Sequence, residues 1–386
     1  MSFQNKPGVV ILYGYFYPAY KAGGPIQSLT NLIISLKSDY RIFVYTSAYD
    51  LNEHEPHAGI KTDCWRDVTI PLSGTSIKVW YATGPKAGIN GMRKAINETG
   101  ASIFYINGMF SYAFTIVPLL LYRRQTKIIC PRGMLQKGAL AGKPLKKKLY
   151  LWGLKISGLC RNAYWHATNE EEQQDIRAVF GDTAKVIVAG NIPRKPLDVI
   201  SPVNKRNGQL HLIYLSLITA KKNLLQLLNI IELMEEKISL HIYGPVKDES
   251  YWNKCLEAIK RSGGKIEYKG DVRPDKVQEI FEKYDASILL TKGENFGHAL
   301  YESFSVGRPV ITSYFTPWNQ LDEKRAGWNV DISVPGEISS VLKKLCDMEK
   351  TEYDNYCNGA HQLAKGYYQG MIVEIEKYRK MFTEIR

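Results

Sequence analysis

Short apolar runs alternate with segments whose apolar residues recur at helical spacing along most of the chain. Strand-like runs cover residues 9–13, 41–46, 77–80, 103–106, 127–130, 163–168 and 186–189. Between the first two runs, Leu29, Leu32, Ile33 and Leu36 have the spacing of one helix face. Apolar strands separated by helices predict a parallel sheet covered on both faces. In such sheets ligands bind beyond the carboxyl ends of the strands.

A second alternating series follows the first. Its strand-like runs cover residues 210–215, 239–243, 265–268, 286–290 and 310–312, with helical patterns between them. The segment 192–208 is rich in proline, glycine, lysine and asparagine, as linkers are. We therefore predict an α/β chain with two Rossmann-like domains facing a cleft, an N-terminal one over 1–195 and a C-terminal one over 196–365. A last helical segment, 366–386, is open to packing back on the N-terminal domain.

The composition is that of a globular protein with a basic surface. Of the 386 residues, 45% are hydrophobic and 23% charged, and the formal net charge is +13 with a pI of about 9.2. This charge favours anionic partners such as nucleotides, nucleic acid or an acidic membrane, without choosing among them. No run approaches the roughly 20 apolar residues of a membrane span, and the first apolar run lacks the flanks of a secretory signal. We expect a cytoplasmic protein.

The six cysteines are scattered, with no Cys-x-x-Cys pair and no histidine at ligand spacing. This arrangement argues against a disulfide framework and against a zinc site. We expect no metal and no cofactor.

One basic segment contains no acidic residue between Pro131 and Asn169. From Lys143 to Lys155 its lysines are interleaved with leucine, tyrosine and tryptophan, the composition of a helix that binds an anionic membrane surface peripherally. The alternative is a solvated helix whose apolar side packs into its own domain. Nucleic-acid binding would use similar chemistry, but no recognition module accompanies the segment, so we expect no nucleic-acid partner.

The stretch 291–312 combines a strand end, a glycine-containing loop, a helical segment at 298–306 and a return to a strand. Glu294 lies on the loop, and Glu302 follows it by eight positions on the helix. A helix N-terminus after a strand offers free backbone N–H groups to an anion such as a diphosphate. The pattern therefore predicts an anion site at the start of this helix.

The two glutamates with Gly293, Gly297 and the segment Gly307-Arg308-Pro309 resemble the Glu-x7-Glu signature of family-4 retaining glycosyltransferases of the GT-B fold. Further segments carry the resemblance over most of the chain. They are Gly23-Gly24-Pro25, Pro131-Arg132-Gly133-Met134-Leu135, Gly190-Asn191, Ile242-Tyr243-Gly244-Pro245 and Gly270-Asp271-Val272. The second of these is similar to a segment of surface-polysaccharide members.

The resemblance implies roles for individual residues around a nucleotide-sugar donor. Glu294 is expected to accept hydrogen bonds from the donor sugar, and Glu302 from the ribose hydroxyls. Lys222, with Lys221, is expected to neutralise the leaving diphosphate. The start of the helix contributes the amides of Phe296, Gly297 and His298 to the β-phosphate, which completes a donor site with Asn295, Gly244 and Val272.

Two positions depart from the family pattern. Leu217 stands where the family usually has an arginine, and Asn107 where many members have a histidine. Asparagine can bind a sugar hydroxyl but cannot act as a general base, so the leaving phosphate would take the acceptor proton. We list Asn107 and Arg132 with the catalytic residues, although Arg132 is equally open to a structural salt bridge.

Three further residues allow two interpretations each. The Gly23-Gly24 pair is either a flexible turn or a backbone that approaches a ligand. His298 either contacts the sugar or caps the turn, and Trp318 is interpreted as core or cleft wall rather than as a stacking platform.

Together these patterns predict a metal-independent glycosyltransferase. It would move a sugar from a nucleotide donor to a glycan or lipid-linked acceptor with retention, in capsule, exopolysaccharide or lipopolysaccharide synthesis. One alternative is a nucleotide-sugar epimerase of the same fold, although no histidine or carboxylate set for it is evident. The other is a non-catalytic basic protein that binds nucleic acid or a membrane.

Overall fold

A computed structural model describes residues 6–71, 73–141, 144–202, 205–235 and 237–383. The chain divides into two compact units, Met1–Ile192 with Met371–Arg386 and Pro193–Gly370. Each is built on its own sheet, as the sequence pattern predicts, so the prediction of two parallel-sheet domains is confirmed. Within the described ranges no helix is long and apolar enough to span a membrane.

The first unit contains an eight-stranded sheet in the order β3-β4-β2-β1-β5-β6-β7-β8. Its strands are β1 (Gly8–Leu12), β2 (Arg41–Ser47), β3 (Trp65–Ile70), β4 (Thr75–Ala82), β5 (Ile103–Asn107), β6 (Thr126–Cys130), β7 (Ala163–Ala167) and β8 (Val186–Val188). All neighbours pair in parallel except β3, which runs antiparallel to β4. The central strands β1 and β5 are buried along their whole length, as strands covered on both faces are.

The helices of the first unit cover the two faces of this sheet. They are α1 (Gly24–Leu36), α2 (Pro85–Thr99), α3 (Val117–Leu121), α4 (Lys137–Ala141), α5 (Pro144–Ile156) and α6 (Glu170–Phe180), with α13 (Met371–Thr383) added from the end of the chain. Helix α1 buries Leu29, Leu32 and Ile33 on the predicted face. It begins at Gly24, ahead of the first apolar position of that face, because Gly23 at φ 82° turns the chain and Pro25 suits the first helical turn.

The second unit contains a six-stranded parallel sheet in the order β11-β10-β9-β12-β13-β14. Its strands are β9 (Gln209–Leu215), β10 (Lys237–Tyr243), β11 (Ile266–Tyr268), β12 (Ala286–Leu289), β13 (Val310–Ser313) and β14 (Gly327–Val330). Its helices are α7 (Leu224–Leu233), α8 (Glu249–Arg261), α9 (Val277–Phe281), α10 (His298–Ser305), α11 (Pro335–Cys346) and α12 (Lys350–Gln369). Helix α12 therefore continues past residue 365, where the sequence places the end of the second domain.

The strand order of each sheet reverses direction at one point. In the first unit the reversal lies between β1 and β5, and in the second between β9 and β12. Strands on either side of such a point send their connections to opposite faces, which leaves a crevice at their carboxyl ends. The topology therefore indicates two places where a ligand can bind, one in each unit.

Candidate functional site

In the second unit, the residues that follow β9 and β12 meet at the reversal point. A 3₁₀ turn, Ala220–Lys222, follows β9, and the loop with Glu294 follows β12. Lys222 forms an ion pair with Glu294, and both side chains are largely buried, with exposed fractions of 16% and 13%. The structure thus brings together a cation and a carboxylate that the sequence separates by more than seventy residues.

Lys221 lies against the same loop, with its Cε 3.2 Å from the position that a Cβ atom on Gly293 would take. Burial and the neighbouring charge of Lys222 lower the pKa of Lys221, while Glu294 acts in the opposite direction. The backbone N–H of Lys292 donates to the Lys221 carbonyl at 2.8 Å, which joins the turn after β9 to the loop after β12. A bound anion would stabilise both lysine charges.

Helix α10 starts directly behind this loop. Gly297 precedes it in the left-handed conformation, with φ 79°, and Asn295 and His298 are both partly buried. The ring of Phe296 packs against Trp318 with centroids 5.4 Å apart, and the Trp318 indole donates to the Phe296 carbonyl at 2.5 Å. Phe296 and Trp318 are therefore core residues of the second unit, and Phe296 offers a ligand only its backbone.

Glu302 lies in the second turn of α10 and is 6% exposed. Its Oε2 atom is buried and has no hydrogen-bond partner in the described part of the chain. Burial raises the pKa of Glu302, and the charge of Arg194 partly offsets that effect. A buried carboxylate oxygen that accepts no hydrogen bond destabilises the folded protein, because it has lost its contacts with water. A ligand whose hydroxyl groups donate to this oxygen would offset that cost.

Arg194 is a site residue that the sequence analysis missed. Its Nε lies 4.0 Å from Glu302 Oε1, and its Nη2 donates to the Pro274 carbonyl at 3.0 Å. Val272 lies two residues before Pro274 and is partly buried in a cluster with Tyr243 and Ala299. Arg194 therefore connects the carboxylate on α10 with the loop after β11, but its position among prolines led us to treat it as linker.

Gly244 has a structural reason to be glycine. Its φ is 133°, and a Cβ atom there would lie 1.9 Å from the Ser216 carbonyl oxygen. Its N–H donates to the Gly270 carbonyl at 2.9 Å, so three strand ends approach each other closely at this edge. Its contact with a donor stays a prediction.

In the first unit, a cavity of about 500 Å³ lies at the carboxyl ends of β1, β2 and β5. Aromatic side chains form much of its lining, and polar groups occur among them. The lining includes Tyr13, Tyr15, Tyr49, Phe110 and Phe114 together with Ser47, Asp50, Asn52, Glu53 and Asn107. Flat apolar rings with a few polar groups suit the C–H faces and hydroxyls of a sugar.

Two tyrosines of this cavity can donate hydrogen bonds over the whole physiological pH range. Burial raises the pKa of Tyr13 and, with the nearby carboxylate of Asp50, also the pKa of Tyr15. Asp50 itself accepts from the N–H groups of Tyr20 and Leu51 at 2.9 and 2.7 Å, which holds the segment before α1 against the turn after β2. The Tyr-Gly-Tyr sequence directly after a buried strand was the signal available for this cavity.

Asn107 lines the cavity, but it is only 1% exposed and takes part in a buried network. Its Oδ1 accepts from Arg132 Nε at 2.9 Å, and its Nδ2 donates to the Tyr105 carbonyl at 3.2 Å. This geometry makes Asn107 a residue that holds Arg132. Its predicted contact with a sugar hydroxyl stays a prediction.

Arg132 has three neutral partners, none of them a carboxylate. Besides Asn107 they are Asn191 Oδ1 at 2.9 Å and the Tyr105 hydroxyl at 3.0 Å. The backbone of Arg132 has φ 56°, a rare conformation for a side-chain-bearing residue and one that clusters at functional sites. No ion pair forms with Arg132 among the described residues, so no carboxylate in contact with the guanidinium offsets its positive charge.

His166 completes this network as a neutral ring. Its Nδ1 is 2.7 Å from the Tyr105 hydroxyl and its Nε2 is 2.8 Å from the Ala189 carbonyl. Because that carbonyl only accepts, Nε2 carries the proton and Tyr105 donates to Nδ1. Burial and the charge of Arg132 lower the pKa of His166 to about 3, so the ring has no charge at neutral pH.

Gly23 and Gly24 start α1, and Gly23 accepts from Ile26 through its carbonyl. They do not line the cavity, and neither does Arg132. No group of three or more histidine, cysteine or carboxylate side chains suited to a metal occurs in the described ranges.

Comparison with known proteins agrees with this geometry. Residues 198–360 match the family described as Glycosyl transferases group 1. No curated protein matches the chain.

Solved structures resemble the whole chain at low sequence identity. Sucrose-phosphate synthase from Thermosynechococcus elongatus has a TM-score of 0.74 at 12% identity, covering 98% of this chain and 100% of its own. Anabaena HepE, in complex with UDP and glucose, has a TM-score of 0.70 at 11% identity, covering 98% of this chain and 100% of its own. WaaG, a glycosyltransferase involved in lipopolysaccharide biosynthesis, has a TM-score of 0.63 at 14% identity, covering 97% of this chain and 99% of its own.

Identities this low show only the fold, and the family match covers the segment that contains Glu294 and Glu302. Residues 198–360 thus match the glycosyl transferases group 1 family, and the chain has the two-domain GT-B fold of glycosyltransferases.

Proposed function

We propose that the protein transfers a sugar from a nucleotide-sugar donor to a glycan or lipid-linked acceptor, with retention at the anomeric carbon. The donor binds to the second unit at the start of α10. The observation that carries this proposal is the buried Glu302 Oε2 atom without a partner, placed on the helix whose first turn adjoins the Lys222–Glu294 pair. Ribose hydroxyls would supply the missing donors.

Each charged group of this site has a role in the proposed reaction. Lys222 exchanges Glu294 for the diphosphate, with Lys221 and the α10 N-terminus adding positive potential. Glu294, released from Lys222, accepts from hydroxyls of the donor sugar. We propose that no metal is needed, because these cations already stabilise the leaving group, and activity retained in a chelator would support this view.

Arg194 supplies part of the positive charge that an arginine at the position of Leu217 usually provides in the family. It adds a positive charge beside Glu302 and holds the Pro274 carbonyl, so it supports the ribose end of the donor. Diphosphate neutralisation then remains with the two lysines.

The aromatic cavity of the first unit is the proposed acceptor site. Its tyrosine hydroxyls, Asp50 and Glu53 can bind sugar hydroxyls, and its rings can cover a sugar face. WaaG, one of the structural neighbours, is described as a glycosyltransferase involved in lipopolysaccharide biosynthesis. TarM, another neighbour, is described in a complex that contains α-GlcNAc-glycerol and UDP. By analogy we propose a surface polysaccharide as the product.

A direct test changes Glu294. A thermal-shift screen with nucleotide sugars first identifies the donor. E294Q should then lower turnover by roughly 100-fold or more while it retains nucleotide binding, because its contact is to the reacting sugar. Wild-type turnover by E294Q with the identified donor would refute the proposal.

A further inference from the structure

Helix α5 has an apolar side that packs on its own unit. Leu151 and Leu154 are buried in the core between the sheet and this helix. The Tyr150 hydroxyl donates to the Met109 carbonyl at 2.5 Å. On this side, the helix packs into its own domain, as one of the two interpretations of the basic segment predicted.

The opposite side of α5 is also apolar, and it faces solvent. Leu145, Leu149, Trp152 and Ile156 have exposed fractions of 79%, 65%, 61% and 64%. Their spacing of four, three and four residues places them on one line along the helix. A surface helix normally carries polar residues there, and a large exposed apolar patch marks a binding surface.

Lysines lie along both edges of this apolar stripe. At 3.6 residues per turn, Lys146 lies on one side of it and Lys148 and Lys155 lie on the other. All three are exposed, whereas Lys147 points inward and donates to the Ala139 carbonyl at 2.6 Å. Lys143 lies outside the described residues. No acidic residue occurs from Pro131 to Asn169, so the surroundings of the stripe have no compensating negative charge in the sequence.

Charge decides between the possible occupants of this stripe. A second copy docked by twofold symmetry would bring the same lysines face to face, which is unfavourable. An anionic lipid surface offers acyl chains for Leu, Ile and Trp and phosphates for the lysines. We propose that α5 lies in the headgroup region of an anionic membrane, with Leu145, Leu149, Trp152 and Ile156 inserted toward the acyl chains.

The same helix adjoins the cavity of the first unit. Met109, which accepts from Tyr150, lines the cavity, and so does Phe110, whose ring lies 5.3 Å from Lys147 Nζ. A membrane that holds α5 is therefore close to the cavity wall. This second step rests on the proposed function: the acceptor is a lipid-linked glycan that enters the cavity while its lipid stays in the bilayer.

Vesicle co-sedimentation tests the membrane contact. Wild-type protein should bind vesicles of phosphatidylcholine with phosphatidylglycerol, and bind phosphatidylcholine vesicles far more weakly. The double variant K146Q/K148Q should bind the anionic vesicles roughly 30-fold more weakly, at a loss of about 1 kcal/mol for each lysine. L149S/W152S should lose binding by at least a similar factor, because it removes the inserted side chains.

The matched control is L233S, which replaces another exposed apolar residue, 84% exposed, on α7 of the second unit. It should bind the anionic vesicles as the wild type does. Equal binding by wild type and L149S/W152S would overturn the proposal. So would a dimer in sedimentation velocity without vesicles that L149S/W152S abolishes, because a second copy would then occupy the stripe.

Binding of the nucleotide sugar identified by the thermal-shift screen, measured on the same variants, separates this inference from the proposed function. L149S/W152S should keep the wild-type affinity for this donor, since α5 is not part of the donor site. Wild-type protein that binds the donor but not the anionic vesicles refutes only the membrane contact. Wild-type protein that binds the vesicles but no nucleotide sugar of the screen refutes only the proposed function.

Discussion

At the scale of single residues, the buried carboxylate of Glu302 favours ligand binding and lowers the stability of the ligand-free protein. It is buried, one of its oxygens has no partner within the described residues, and its nearest cation, Arg194, is 4.0 Å away. Such groups are costly unless a ligand completes their hydrogen bonds. Glu302 should therefore lower stability and raise nucleotide affinity.

E302Q should separate these two effects. Burial raises the pKa of Glu302 in the folded protein, so the folded state binds this proton more tightly than the unfolded chain does. Stability is thus favoured below the unfolded pKa and lost as pH rises through the folded pKa. Glutamine does not ionise, so E302Q should lose less thermal stability than the wild type as pH rises above the ordinary pKa of a glutamate.

The same variant should bind the nucleotide sugar identified by the thermal-shift screen roughly 10- to 100-fold more weakly, the range for a hydrogen bond to a charged group. Differential scanning fluorimetry across pH, with and without this donor, measures both effects. E323Q, which changes an exposed glutamate, is the control and should leave both unchanged. A wild-type pH profile for E302Q would contradict the stability argument.

At this scale the sequence predicts position where spacing encodes geometry. The structure places Glu294 and Glu302 on the loop and the helix that their separation and the intervening glycine predict, while their roles stay predictions. Arg194 was missed because its neighbours suggested a linker and its partners, Glu302 and Pro274, are distant in sequence. The hydrogen bond of Asn107 with Arg132 joins two residues that only the fold brings together.

At the scale of elements, every strand predicted from an apolar run occurs in the structure. The two strands that were missed lack such a run. β3 is an edge strand with exposed Arg66, Asp67 and Thr69, and β14 has four residues and begins with glycine. Each of these two strands lies at a sheet edge and is stabilised by pairing with a single neighbouring strand. The local sequence pattern does not contain that information.

The turn at the end of β10 allows a sharp test of element packing. In G244A the new Cβ would lie 1.9 Å from the Ser216 carbonyl, at a φ of 133° that alanine avoids. We expect a loss of more than about 2 kcal/mol in the unfolding free energy, from steric overlap and backbone strain.

G366A is the matched control, since Gly366 lies inside α12 and nothing is within 4 Å of its added Cβ. It should be neutral or gain up to about 1 kcal/mol. Urea unfolding curves of the two variants measure the difference. A G244A curve that coincides with that of G366A would show that the backbone can relax at this turn.

At the scale of the whole molecule, the first unit is completed by the end of the chain. Helix α13 buries Tyr378, Met381 and Phe382 in the core of that unit. The Phe382 ring contacts Tyr40 and Tyr105, with centroids 5.5 and 5.6 Å apart. The sequence analysis left this packing open, because a helical pattern does not specify which domain it joins.

F382A should destabilise the first unit by about 3–5 kcal/mol, the usual cost of removing a buried phenylalanine. I372A changes an exposed residue, 71% exposed, on the same helix and should have little effect. Denaturant unfolding followed by tryptophan fluorescence measures the two variants, and affinity for the identified nucleotide sugar should be retained in both under native conditions. Equal midpoints for F382A and I372A would mean that α13 contributes little to that core.

The position of α13 has a consequence for how the protein is made. During synthesis, residues 6–192 emerge from the ribosome long before residues 371–383, and the second unit emerges between them. Until then the surface formed by Tyr40, Tyr105 and their neighbours lacks its cover. The second unit can therefore reach its native packing first, while the first unit waits, partly exposed, for the last helix to be synthesised.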